Sequence, residues 1–135
     1  MIFATTLSVP AGTAATAKVE ARLAIARGII HLVEIAFLDG PENEVHVAVR
    51  RPGLHQLVPT TAGSIVGNNQ TIPTVLHEEA FEPPWELVVE GWSPDADYVH
   101  EVAVRVHVLP QEVLAPPREE LGILRRLQRT ILGGR

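Results

Sequence analysis

Through most of the first 110 positions apolar and polar residues alternate, the period-two pattern of strands that turn one face to a core and the other to water. Phe3, Thr5, Leu7 and Val9 share one face of a first strand, which Pro10-Ala11-Gly12 ends. Val19, Ala21, Leu23 and Ile25 alternate with Lys18, Glu20 and Arg22 in a second. Gly28 opens the run Ile29-Ile30-His31-Leu32-Val33-Glu34-Ile35-Ala36-Phe37, apolar on both faces, which predicts a central strand closed by the turn Asp39-Gly40-Pro41. Val45, Val47 and Val49 alternate with Glu44, His46, Ala48 and Arg50 as far as Arg51-Pro52-Gly53, and a short strand follows over residues 54–58. Residues 59–84 hold four prolines and the polar run Gly67-Asn68-Asn69-Gln70-Thr71, which predicts an exposed loop and a short edge strand over residues 74–77.

Residues 85–92 form a strong strand pattern, and Ser93-Pro94-Asp95-Ala96-Asp97 has turn chemistry, since Pro fixes φ and Asp bonds the nearby backbone. The clearest strand comes last, with Val102, Val104, Val106 and Val108 on one face and Glu101, Ala103, Arg105 and His107 on the other. These two strands are expected to pair as a hairpin. Seven or eight short strands separated by turns predict a mostly β domain over residues 1–110: an antiparallel sandwich, jelly roll or barrel.

After Leu109-Pro110 the period changes. Pro116-Pro117 gives a stiff start, with Pro117 suited to a first helical turn. Leu121, Leu124, Leu127, Gln128, Ile131 and Leu132 fall in one stripe at helical spacing, Arg118, Arg125, Arg126 and Arg129 lie beside it, and Gly133-Gly134 ends it. Residues 111–135 therefore read as a Pro-Pro joint and an amphipathic helix. Leu121, Leu124, Leu127, Ile131, Leu132, Arg118, Arg125 and Arg129 are its candidate interaction residues.

Charge divides at the same joint. Six Lys or Arg face thirteen Asp or Glu up to Pro110, and five Arg face three Glu beyond it, within a total of −5. An acidic body argues against general nucleic-acid binding, because neutralising phosphates requires a basic face. Only the tail is basic, and a basic amphipathic helix can dock on protein or lie on an anionic membrane. The first residues, Met1-Ile2-Phe3-Ala4, show no signal-peptide pattern, and no stretch approaches the ~20 apolar residues of a membrane span. Cysteine is absent, so no thiol chemistry or cysteine-type metal site is expected. Ten of eleven cations are Arg and prolines number eleven, a composition that suits a heat-adapted protein.

Candidate chemistry is thin. The histidines at 31, 46, 55, 77, 100 and 107 form no His-x-x-x-His or His-Glu-x-x-His pair and read as surface and sheet-rim residues. Glu78, Glu79, Glu82, Glu86, Glu90, Asp95, Asp97 and Glu101 run without an intervening Lys or Arg, a set that could do acid–base work or bind calcium. Glu86 and Glu90, however, share one strand face, where a solvated edge explains them. Ser8, Ser64 and Ser93 lie in no nucleophile elbow, and Gly63-Ser64-Ile65-Val66-Gly67 reads as a loop with flexible corners. Trp85, Trp92 and Tyr98 could line a carbohydrate platform or anchor a hairpin. No catalytic residue, cofactor or metal is assigned on these grounds.

The Thr13-Ala14-Ala15-Thr16-Ala17 arm, the run from Gly28 to Ile35, the segment from Trp85 to Pro110 and the terminal helix together resemble the small virion structural proteins of tailed phages, capsid decoration or cement proteins in particular. The resemblance lies in architecture and carries over no functional residue. It implies a non-enzymatic protein located in the virion, a homo-oligomer with a trimer favoured, and a major capsid or other virion protein as partner. A carbohydrate-binding module is the alternative, with a small hydrolase third.

Overall fold

In the computed structural model, which describes residues 1–110, the chain forms eight strands: β1 (Ile2–Val9), β2 (Val19–Ala24), β3 (Gly28–Phe37), β4 (His46–Arg50), β5 (Gln56–Val58), β6 (Gln70–Ala80), β7 (Glu86–Trp92) and β8 (His100–Leu109). They make two four-stranded antiparallel sheets, ordered β1-β8-β3-β6 and β2-β7-β4-β5. The pairings nest along the chain: β1 with β8, β2 with β7, β3 with β6 and β4 with β5. Both sheets have free edges, so the body is a sandwich wound as a jelly roll rather than a closed barrel. The helix expected beyond Pro117, with its candidate interaction residues, lies outside the described residues.

The core follows from the period of two. Val102, Val104, Val106 and Val108 are fully buried, while Glu101, Ala103 and Arg105 on the other side of β8 are exposed. Leu7 and Val9 enter from β1, Ile30, Val33, Ile35 and Phe37 from β3, Val47 and Val49 from β4, and Leu87 and Val89 from β7. Gly91 marks where the two sheets come closest. A Cβ there would lie 2.6 Å from Leu7 Cδ2 and 2.8 Å from Val9 Cγ2, so the bare position makes room for β1.

Three expectations need correction. First, β7 and β8 form no hairpin; they lie in opposite sheets, each flanked by two other strands. Their connection is occupied as a corner. Ser93 bridges Thr13 and its Oγ donates to the Pro10 carbonyl, while Gly12 N donates to Ala96 O, so residues 93–96 are anchored to the β1–β2 loop. Second, the edge strand expected over residues 74–77 extends through eleven residues as β6, because its inward positions Ile72 and Leu76 pack on the core in spite of Pro73. Third, Glu86 and Glu90 sit on a central strand, not an edge. The expected central position of β3 does hold, between β8 and β6.

The valine register gives a direct test. Val104→Asp places an unpaired carboxylate in the core and removes a buried side chain, and should cost about 3–5 kcal/mol by urea denaturation. Glu101→Gln, one turn of the pleat away on the exposed face, should shift stability by less than about 0.5 kcal/mol. Equal effects would refute the assigned faces.

Candidate interaction surface

The two outer faces of the sandwich differ in kind. On the β2-β7-β4 side, register brings Glu20 beside Glu90 and Arg22 and Arg50 to either side of Val88. Arg50 bonds Glu90 and reaches Glu20 at 3.4 Å, Lys18 lies 3.8 Å from Glu90, and Arg22 bonds Glu86. The hydrogen bond to Glu90 raises the Arg50 pKa above its ordinary value, with burial opposing it and the charges of Glu90 and Glu20 assisting. Cations and anions therefore meet diagonally, between neighbouring rows of the three strands, and the two arginines flank the fully buried Val88. Two of the acids singled out in the sequence are thus members of a neutralised lattice.

Trp92 continues this face. Its ring stacks on His46 at 5.4 Å with 7° between planes, and Lys18 Nζ lies 4.3 Å from its centroid. The tryptophan is engaged by His46 of β4 on one side and by Lys18, just ahead of β2, on the other. Trp85 lies just ahead of β7, at the opposite end from Trp92, with Nε1 donating to Ala80 O. Tyr98 lies at a corner beside His100, with its hydroxyl donating to Gly40 O at 3.4 Å. The three aromatics share no common face.

The other outer face is quieter. Across β1-β8-β3-β6 the register aligns Ile2, His107, Leu32 and Val75 in one row, Ala4, Arg105, Glu34 and Pro73 in the next, and Thr6, Ala103, Ala36 and Thr71 in a third. The third row is short and neutral, the first is mainly aliphatic, and the second sets Arg105 beside Glu34. His107 Nε2 and Glu34 Oε1 are 2.6 Å apart, and His31 meets the His107 ring edge-on at 5.9 Å. Ile2 and Val75 are exposed at the two margins. This is the candidate interaction surface, because drying short neutral side chains costs less than stripping water from paired charges.

The remaining polar clusters serve the fold. Arg51, at the end of β4, is 6% exposed; its NH1 donates to Glu78 Oε2 at 2.9 Å and Glu79 O at 3.4 Å, and its NH2 to Glu82 O at 3.3 Å. His55 Nε2 lies 2.9 Å from the other Glu78 oxygen. The group ties the β4–β5 turn to the end of β6, beside a depression lined by His55, Thr60 and Val75. Ser64 Oγ is 2.9 Å from His46 Nδ1, a nucleophile-to-base distance, but among the described residues no carboxylate orients that ring. Ile65 bridges Val47, so the Gly63-to-Gly67 loop is fastened rather than free. His100 is buried, against the expectation of a rim residue, because the Tyr98 ring and Gly40 cover it.

Alternation alone identifies which side of each strand these charges occupy. What it omits is strand adjacency, which decides that Glu90 meets Arg50 and that Arg51 reaches Glu78 across 27 positions. Among the described residues no three His, Asp or Glu side chains converge as a metal site, and no helix is long and apolar enough to cross a membrane. A comparison with known protein families finds none that matches the chain, and a comparison with curated proteins finds no matching relative.

Three measurements check these assignments. Arg51→Ala unties buried carbonyls and a carboxylate together and should cost about 2–4 kcal/mol. Arg22→Ala, removing an exposed pair, should cost less than about 1 kcal/mol. Dialysis against EDTA should leave the melting temperature unchanged, whereas a loss above about 3 kcal/mol would reveal a structural metal.

Proposed function

We propose that the chain is a non-enzymatic structural protein that self-associates and decorates or builds a larger assembly, in the manner of the phage capsid decoration proteins it resembles. The observation that carries this reading is a contrast within the sandwich. Its interior is packed with aliphatic side chains, and one outer face carries an interleaved set of ion pairs, while the opposite face has fewer charges and a row of short, neutral side chains, Thr6, Ala103, Ala36 and Thr71. Recognition is then surface against surface rather than ligand within a cavity. Jelly rolls also serve as lectin and cupin domains, so the fold alone does not select the role.

In this reading the acidic body faces outward on a virion, away from packaged nucleic acid, and the tail supplies contacts. Leu121, Leu124, Leu127, Ile131 and Leu132 form its apolar stripe, with Arg118, Arg125 and Arg129 beside it. These side chains join copies of the chain, or the chain to a major capsid or other virion protein. The stripe follows a Pro-Pro joint, and residues 1–110 already supply a complete core.

Native mass measurement tests the reading. The full chain should be oligomeric, and deletion after Ala115 should leave a folded β protein that has lost assembly. Leu124→Ser with Leu127→Ser should do the same, since each buried leucine contributes roughly 1.5–3 kcal/mol and contacts repeat in every copy. A strict monomer overturns the proposal. An unfolded truncation product would assign the tail to its own sheet instead.

A further inference from the structure

Both Met1 N donating to Val108 O at 2.9 Å and Val108 N donating to Met1 O at 2.8 Å are present, so these two residues form a hydrogen-bonded pair. In an antiparallel ladder such pairs alternate with pairs whose N–H and C=O point away. The β1–β8 register runs without a shift from Ile2↔His107 to Val9↔His100. Odd residues of β1 therefore direct their backbone groups at β8, and Ile2, Ala4, Thr6 and Ser8 direct theirs at the free edge of the sheet. All four are exposed.

The other three edges carry devices that discourage pairing. β6 has Pro73, a register shift opposite residues 30–32 of β3, and exposed His77 and Glu79. β5 is three residues long and runs into Pro59. β2 bears Glu20 and Arg22. β1, Ile-Phe-Ala-Thr-Thr-Leu-Ser-Val, contains no proline, no charge and no bulge.

We propose that this edge is a homotypic seam: β1 pairs antiparallel with β1 of a second copy about a two-fold axis at Thr5. The identification of the partner as a second copy rests on the self-association proposed above, and the seam names where copies meet. Register is set by parity. Outward-directed groups must meet outward-directed groups and core faces must remain on one side, which pairs Ala4 with Thr6 and Ile2 with Ser8 of the other copy and puts Thr5 opposite itself. Phe3 then meets Leu7 on the inner side.

Charge agrees with this register. Beyond Ser8 in its row stands Glu101, and beyond Ile2 stands His107. Each row ending in Glu101 on one copy ends in His107 on the other, and each row ending in Arg105 ends in Ala103, so no like charges face each other. A two-fold seam is also compatible with three-fold association through the tail, since the two axes combine in dihedral symmetry.

The full chain has no cysteine, so Thr5→Cys introduces a single thiol. At the axis Thr5 would be a non-hydrogen-bonded cross-strand pair, with Cα atoms ~4.5 Å apart, within disulfide range. Mild oxidation should convert this variant to a disulfide-linked dimer, while Thr71→Cys, exposed on β6, should stay unlinked. Thr6→Pro removes only an outward N–H and should keep the melting profile while halving the sedimenting mass of the assembly. An oligomer in which Thr5→Cys does not cross-link, or links no better than Thr71→Cys, overturns the seam and leaves self-association standing. An unchanged mass for folded Thr6→Pro does likewise. A monomeric full chain overturns both.

Discussion

Four fully buried valines on β8 face inward from the middle of one sheet, and their water-free contact with the opposite sheet organises the rest of the body. Valine fits a pleated surface because its branched Cβ packs against same-face neighbours, and it is short enough to let two sheets approach at about 10 Å. A layer this thin has little tolerance for extra atoms. Gly91 is the visible consequence, since any side chain there would collide with Leu7 and Val9 of the facing sheet. Gly28 is a second, with the Leu109 carbonyl oxygen 2.4 Å from where its Cβ would stand. That neighbour is backbone and cannot turn aside, so the start of β3 stays fastened to the end of β8.

This constraint also explains which parts of the fold were legible in the sequence. Period-two alternation is imposed locally by burial of one face, and it identifies β1, β2, β4 and β8 with their inward residues, while β7 shows as a strand without a single inward face. The doubly apolar run of β3 likewise announces its central place. What alternation does not encode is adjacency. Two strong strands joined by Ser93 to Asp97 look like a hairpin, yet both β7 and β8 carry a dry stripe that is buried from opposite sides of the same layer. The intervening corner bonds the β1–β2 loop, a contact across more than eighty positions that no local pattern displays. β6 extends beyond the expected residues 74–77 because Pro73 weakens strand propensity in the sequence, although an edge strand accepts a proline.

The candidate surface was less legible than the fold for the same reason. Alternation puts Glu86 and Glu90 on a polar face, but their partners, Arg22 and Arg50, arrive from two other strands. The separation of one lattice-like face from one neutral face emerges only when four strands are laid side by side. Trp92 shows the effect most plainly. An aromatic beside a turn is compatible with ligand stacking until His46 and Lys18 are found on its ring.

Charges on a pleated sheet can serve solvation or contact, and the arrangement that favours one opposes the other. Where Glu20, Arg50, Glu90 and Lys18 interleave, an incoming surface would have to strip water from every member, and the recovered Coulomb attraction seldom exceeds that penalty. Where a row consists of Thr6, Ala103, Ala36 and Thr71, little hydration is lost on contact, and even a modest apolar gain is retained. The body as a whole is acidic, with six cations against thirteen anions through Pro110, so copies repel at distances within the screening length. Long-range attraction cannot then bring the bodies together. Any association between such bodies would have to be short-ranged and between uncharged surfaces, and β1 is uncharged over its entire length.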